Sequence, residues 1–274
     1  MRQKGGGPIE KTAGAALLGT DDPPVFELVN EDRPGRVLLI CDHGGFAVPA
    51  KLGTLGLEPA QLRQHIGWDI GAGALTRELA AQLGCMAVIC GYSRLVIDPN
   101  RTLDDPTSIP QMSDGIPIPG NQGLDGPARK VRADEIFHPY HKALHYAVEL
   151  YLARGARPIV VSIHSYTEKM GGVVRPWHIG VQWIDDWRLP RRLIALLRAE
   201  PGLIVGDNEP YSARDGLGYT NERHADGRGL ANATLEVRQD HIEAPAGATA
   251  WAGRLARALV QAMEDEQLFE VFQG

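Results

Sequence analysis

Two histidines stand at the ends of apolar runs, in Leu39-Ile40-Cys41-Asp42-His43 and Val161-Ser162-Ile163-His164. Imidazole changes charge near neutral pH and is the commonest side-chain metal ligand, so two of them at strand ends invite a chemical reading. A third run, Thr234-Leu235-Glu236-Val237-Arg238, carries an acid among apolar neighbours. A buried carboxylate there needs a partner, a metal-bound water or a raised pKa. Between them Asp69 opens a helical pattern over 69–83, where it either caps backbone amides or supplies an oxygen ligand, two compatible roles. Two histidines and one carboxylate leave an open position on zinc for water, whose pKa the ion lowers to about 7, and a nearby glutamate can then act as base.

These side chains need a frame. Val37 to Cys41 is an unbroken apolar run of the kind buried on both faces of a parallel sheet. Further apolar runs at 86–90, 94–97, 158–163, 179–183, 203–206 and 233–237 predict a sheet of six or more strands. Helical periodicity over 69–83, 139–153, 190–199 and 247–265 falls between them. The alternation predicts an α/β fold, a three-layer αβα sandwich with a mostly parallel or mixed central sheet, whose ligands bind beyond the carboxyl ends of strands. Residues 1–24, rich in Gly, Thr, Asp and Pro, read as a flexible leader that docks only at its end, ahead of a single domain over 25–274. The Pro- and Gly-rich stretch 102–127 exceeds the ~12–15 residues usual for a loop and reads as an active-site flap.

Composition narrows the classes. The 274 residues are 43% hydrophobic and 23% charged, enough for a sizeable core. A net charge of -6 with scattered Lys and Arg argues against a nucleic-acid surface, and no apolar run reaches the ~20 residues of a membrane span. With no signal-peptide pattern at the start, the expected location is cytoplasmic. Cys41, Cys85 and Cys90 form no CxxC and read as reduced, buried thiols. Gly91-Tyr92-Ser93-Arg94-Leu95 lacks the second glycine of a serine-hydrolase elbow, and Gly71-Ala72-Gly73-Ala74-Leu75-Thr76 misses the third glycine of a dinucleotide fingerprint. His138, His141 and His145 share a helix face, where packing or surface placement is the plainer reading than a metal site.

The order Asp-His-Gly-Gly, acid at a helix start, strand-His-Ser and Glu on a late strand resembles the zinc amidase and carboxypeptidase superfamily. The stretches Cys41–Gly45, Trp68–Gly71, Ser93–Arg101, His164–Thr167, Arg175–Gly180 and Leu235–Asp240 resemble N-formylglutamate amidohydrolases over residues 25–262. The first of them departs from the family's more usual Pro-His-Ser-Gly or Pro-His-Ala-Gly. The resemblance implies one Zn2+ per chain on His43, Asp69 and His164, with Glu236 as the general base that later protonates the leaving amine. It implies that Asn100 and Arg101 hold a substrate carboxylate, Arg101 counting with Glu236 among the catalytic groups; a surface salt bridge is the alternative for Arg101. A second carboxylate calls for a second cation, with Arg175 and Arg94 the candidates, while Arg238 would orient the base. His141 and His224 stand as further donors to substrate or oxyanion. The expected partner is a small anionic N-acyl amino acid, with N-formyl-L-glutamate first and histidine degradation the implied pathway. Another N-acyl amino acid, a peptidoglycan stem amide, or a non-catalytic anion-binding module on the same scaffold are the alternatives, and a homo-oligomer is left open.

Overall fold

The computed structural model describes residues 16–33, 35–216 and 218–273. In chain order its main elements are β1 (Phe26–Val29), β2 (Val37–Cys41), α1 (Pro59–Leu62), α2 (Ala72–Leu83), β3 (Met86–Cys90), β4 (Met112–Ser113), β5 (Ile116–Pro117), α3 (Gly126–Arg132) and α4 (His138–Ala153). There follow β6 (Ile159–Tyr166), β7 (Lys169–Met170), β8 (Val173–Val174), β9 (Ile179–Gln182), α5 (Arg188–Arg198), β10 (Val205–Asp207), α6 (Tyr219–His224), β11 (Asn232–Arg238) and α7 (Pro245–Ala262). Seven strands form one sheet in the order β1-β3-β2-β6-β11-β9-β10. The sheet is mixed: β1 runs antiparallel to β3 and β9 antiparallel to β11, while the other neighbours are parallel.

Alternation along the strands builds two cores from one sheet. Val37, Leu39 and Cys41 of β2 join Leu75 and Leu79 of α2, Leu193 of α5 and Leu255 of α7 on one face. Leu38 and Ile40 turn to the other face, against Tyr140, Leu144 and Val148 of α4. The three-layer arrangement follows. β2 lies between β3 and β6, so the chain leaves β2 toward β3 and returns across it to β6, with α2 and α4 on opposite faces. That reversal opens a crevice at the carboxyl ends of β2 and β6, the usual ligand position in such sheets.

One expected strand is absent, and one strand was not expected. The apolar run 94–97 is a turn rather than a strand; Leu95, Val96 and Ile97 are buried in the second core while Ser93 Oγ bonds to Gly67 O. The edge strand β1 was hidden by a charged residue, Glu27, which pairs outward with Arg77. Residues 1–15 of the expected leader lie outside the described residues; at its end Leu17 is buried, and the Leu17 and Leu18 amides donate to Glu135. The 102–127 stretch is a built loop. Asn121 bonds to Leu95 O and Pro110 O, and the buried Arg132 donates to Val96 O and Asn121 Oδ1, so the stretch is fixed at its base and reaches out through the β4–β5 hairpin. Among the described residues no helix is long and apolar enough to cross a membrane.

Candidate metal centre and its pocket

His43 stands two residues beyond the end of β2, and its backbone carbonyl accepts from the Asp69 amide at 3.0 Å. The close turn behind it needs glycine: a Cβ on Gly45 would sit 2.2 Å from Gly91 O, and one on Gly44 would sit 2.4 Å from Ile89 Cγ2. His164 lies on β6 and Glu236 directly opposite it on β11, in a parallel register that points both to one face. Asp69 stands three residues ahead of α2 and does not cap it, because that helix has no side-chain cap. Its carboxylate turns instead to the two histidines.

Asp69 Oδ2 lies 2.8 Å from His164 Nδ1 and 3.3 Å from His43 Nδ1, and Oδ1 accepts from Arg94 Nη1 at 3.2 Å. One donor atom from each of His43, Asp69 and His164 falls within 4.8 Å of the others, and all three residues are buried. The opposite nitrogens face carboxylates. His43 Nε2 is 2.7 Å from Asp98 Oδ1, and His164 Nε2 is 3.3 Å from Asp42 Oδ2 and 3.1 Å from Ser162 Oγ. A carboxylate on Nε2 holds a proton there, so that Nδ1, facing Asp69, is the nitrogen that would give up its proton and present a lone pair to a cation, the tautomer a metal ligand needs. Asp42, Asp69 and Asp98 against the single guanidinium of Arg94 leave two negative charges around the neutral rings, the charge of a divalent cation. The donor set therefore fits a divalent ion.

The surrounding acids favour positive charge at this point, on the rings or on a cation that takes the place of the Nδ1 protons. Against the burial that lowers it, His164 is raised well above its ordinary value by Asp42 and Asp69. Burial alone would push Asp69 up, but His43, His164 and Arg94 outweigh it and hold its carboxyl far below the usual range. Burial and then Arg94 lower His43, yet Asp98 and Asp69 leave it raised overall. Glu236 moves the other way: desolvation raises its pKa despite the nearby His164, and Gln182 Nε2 donates to its Oε1 at 3.0 Å. A cavity of about 250 Å³ opens over these groups, lined also by Arg94, Asn100, Arg101, Tyr166, Arg175 and Tyr211.

A sequence model of the N-formylglutamate amidohydrolase family matches residues 35–243. The chain belongs to this family. Amide hydrolysis is the family's chemistry. Its fold also matches the Atu2144 gene product of Agrobacterium tumefaciens, 33% identical with a TM-score of 0.88 over 90% of this chain and 98% of the other. The N-formylglutamate amidohydrolase of Ralstonia eutropha JMP134 shares the fold at 21% identity and a TM-score of 0.60, over 86% of this chain and 98% of that one. No curated protein matches the sequence.

In this N-formylglutamate amidohydrolase family member the expected substrate-binding residues divide. Arg101, whose Nη1 donates to Asn100 O, lines the cavity, and Asn100 uses Oδ1 to accept from the Thr220 amide. Arg175 is buried beside Tyr166 and Tyr211, 4.8 and 5.4 Å from their ring centroids, and donates to Thr167 O and Tyr211 Oη. Among the described residues it makes no ion pair, so its charge faces the cavity uncompensated. Arg94 also lines the cavity but is already committed to Asp69 and Asp98. Arg238 does not orient Glu236: it forms a two-point pair with Asp240 and donates to Arg175 O, outside the cavity wall. Nor do His141 and His224 reach the cavity; they meet each other in a separate cleft behind it.

Asp42, Asp98, Tyr211 and Gln182 were not singled out from sequence. For Asp42 and Asp98 a signal existed, since each is an acid adjoining a buried apolar run. Gln182 and Tyr211 carry no comparable local signature. The 102–127 stretch supplies Ser113 and Asp114 to the cavity, where Asp114 Oδ2 lies 3.1 Å from His65 Nε2.

Proposed function

We propose that the protein hydrolyses the amide of a small N-acyl acidic amino acid, N-formyl-L-glutamate first, with one zinc ion held by His43, Asp69 and His164. The observation that carries this reading is the convergence, in one small cavity, of three metal donors, a buried glutamate and the arginines Arg101 and Arg175. A bound divalent ion supplies polarisation of the acyl carbonyl and acidification of water. Glu236 takes the proton of the attacking water and delivers it to the departing amine as the C–N bond breaks, giving formate and L-glutamate. The Gln182 amide fixes Oε1, which leaves Oε2 as the proton carrier. Arg101 and Arg175 receive the two carboxylates, for which planar guanidinium groups give paired, charge-assisted hydrogen bonds. A cavity of this size suits a small diacid better than a polymeric stem peptide.

The test is formate release from N-formyl-L-glutamate by metal-loaded protein, with a chelator-treated control and N-acetyl-L-glutamate and N-formyl-L-aspartate in parallel. Metal-dependent release strongest with N-formyl-L-glutamate is the expected result. One equivalent of bound metal without turnover of that substrate would move the assignment to a different acyl group.

A further inference from the structure

Behind the cavity, His141 on α4 and His224 on α6 are both 3% exposed and stack with ring centroids 5.2 Å apart. His141 Nδ1 lies 2.9 Å from His224 Nε2, and His141 Nε2 lies 2.9 Å from Pro99 O. A carbonyl oxygen only accepts, so His141 Nε2 carries a proton. In a neutral ring its Nδ1 is then a lone pair, and the proton between the two rings belongs to His224 Nε2. The chain of donors has one direction, from His224 through His141 to the carbonyl of Pro99.

The end of that chain is where the site is built. Asp98, one residue before Pro99, backs His43 Nε2 and accepts from Arg94 and from the Asn100 amide. Asn100 and Arg101, just after it, border the cavity. Phe137 packs 4.3 Å from the His141 ring centroid and Tyr219 5.4 Å, so the ring has one seat. Desolvation keeps both rings neutral, holding His141 at about 4 and His224 at about 3. Asp42, Pro99 O, Arg223 and His138 are the polar and charged groups acting on His141, and His141, Arg223, Arg228 and Asp42 those acting on His224.

We propose that His224 and His141 form a positioning pair that sets the Asp98–Arg101 segment, and through it both the seat of His43 and the carboxylate-binding arginine. Neither ring touches the reacting atoms. The inference extends the proposed function, but half of its test is independent of substrate.

The experiment compares His141→Phe, which keeps ring packing and removes both nitrogens, with His141→Gln, whose amide still donates to Pro99 O, and with His224→Phe. Metal affinity is read by competition against a chromogenic chelator, and KM and kcat on N-formyl-L-glutamate, on protein whose fold is verified by circular dichroism. His141→Phe is expected to weaken metal binding and raise KM about tenfold each, with kcat changed less, because one buried hydrogen bond that sets the segment is lost. His141→Gln restores most of both, and His224→Phe falls between. A folded His141→Phe with metal affinity and KM within twofold of wild type overturns the proposal, as does a Gln variant as impaired as the Phe one. If His141→Phe does not fold, His224→Phe decides: unchanged affinity and KM count against the pair. If the wild type does not turn over N-formyl-L-glutamate, the substrate assignment fails, and the metal-affinity series still tests the pair.

Discussion

Replacing Asp98 by asparagine removes a charge and almost no volume. The wild-type carboxylate accepts from His43 Nε2 at 2.7 Å, from Arg94 Nη2 at 3.0 Å and from the Asn100 amide at 2.8 Å. An asparagine can keep one acceptor oxygen, but its amide must then turn N–H groups toward either the Arg94 guanidinium or the His43 ring, both donors. The loss is therefore at least one charge-assisted hydrogen bond, worth ~1.5–3 kcal/mol, or roughly 10- to 150-fold in an equilibrium constant. Changes to groups that orient metal-bound histidines fall in the same range, about 10- to 100-fold in affinity. Asp42→Asn is the internal comparison: His164 Nε2 retains Ser162 Oγ at 3.1 Å, so metal affinity should fall less. Tyr140 and Thr220 both donate to the same oxygen, Asp42 Oδ1, at 2.9 Å, and asparagine keeps an acceptor there, so stability should fall little. The assay is competition of the metal-stripped protein with a chelator of known affinity, with melting curves alongside. A folded Asp98→Asn protein that binds zinc within twofold of wild type would refute the argument that this carboxylate sets the His43 tautomer.

Glu236→Gln should lower kcat by about 10²- to 10⁴-fold while binding metal normally, because it removes the proton carrier and not a metal donor; steady-state kinetics with metal analysis checks this. Arg175→Met should raise KM for N-formyl-L-glutamate about tenfold or more and affect an N-formyl amino acid with a neutral side chain less, as read by paired kinetics. Gly45→Ala places a methyl group 2.2 Å from Gly91 O, a backbone atom that cannot swing aside, and should lower the denaturation midpoint by an amount equivalent to ~1–3 kcal/mol. For pH, His141 is lowered to about 4 from its ordinary 6.5, so the unfolded chain takes up the proton first on acidification. Stability tied to this ring is complete above pH 6.5 and lost as pH falls toward 4, up to roughly 3 kcal/mol. Urea melts of wild type and His141→Gln across that window should show the wild type losing more; parallel losses would contradict it.

The ends of β2, β6 and β11 were legible because each of those strands announces itself by an apolar run and then breaks its own pattern with a residue that can do chemistry. Asn232-Ala233-Thr234-Leu235-Glu236-Val237-Arg238 is the clearest instance. Its Ala, Leu and Val join the core beneath α5 and α7, which puts Glu236 on the face shared with His164. The run 94–97 misled for the opposite reason: a buried turn and a buried strand have the same composition, and only the hydrogen bonds of Ser93 Oγ and the Arg94 amide to Gly67 O tell them apart. The antiparallel seating of β9 against β11 was not readable either, since strand direction depends on where the intervening chain crosses the sheet. Arg94 and Arg238 show the same limit for charge. Sequence marks an arginine as available for a carboxylate, but whether that carboxylate belongs to the substrate or to Asp69, Asp98 or Asp240 is decided by packing.

That distinction separates the arginines by what they can do. Arg94 pairs with two of the three aspartates around the histidines and offsets one of their charges, so removing it would leave the centre with more negative charge than one divalent ion offsets. Its loss should therefore disturb the metal site before substrate binding. Arg175 makes no ion pair among the described residues, and its neighbours are two tyrosines and the Thr167 carbonyl. A buried cation with only neutral partners is costly unless an anion completes it. The uncompensated charge at Arg175 is accordingly the feature of this cavity that most directly asks for an anionic substrate, and Arg94→Lys and Arg175→Lys should separate the two roles, the first through metal affinity and the second through KM.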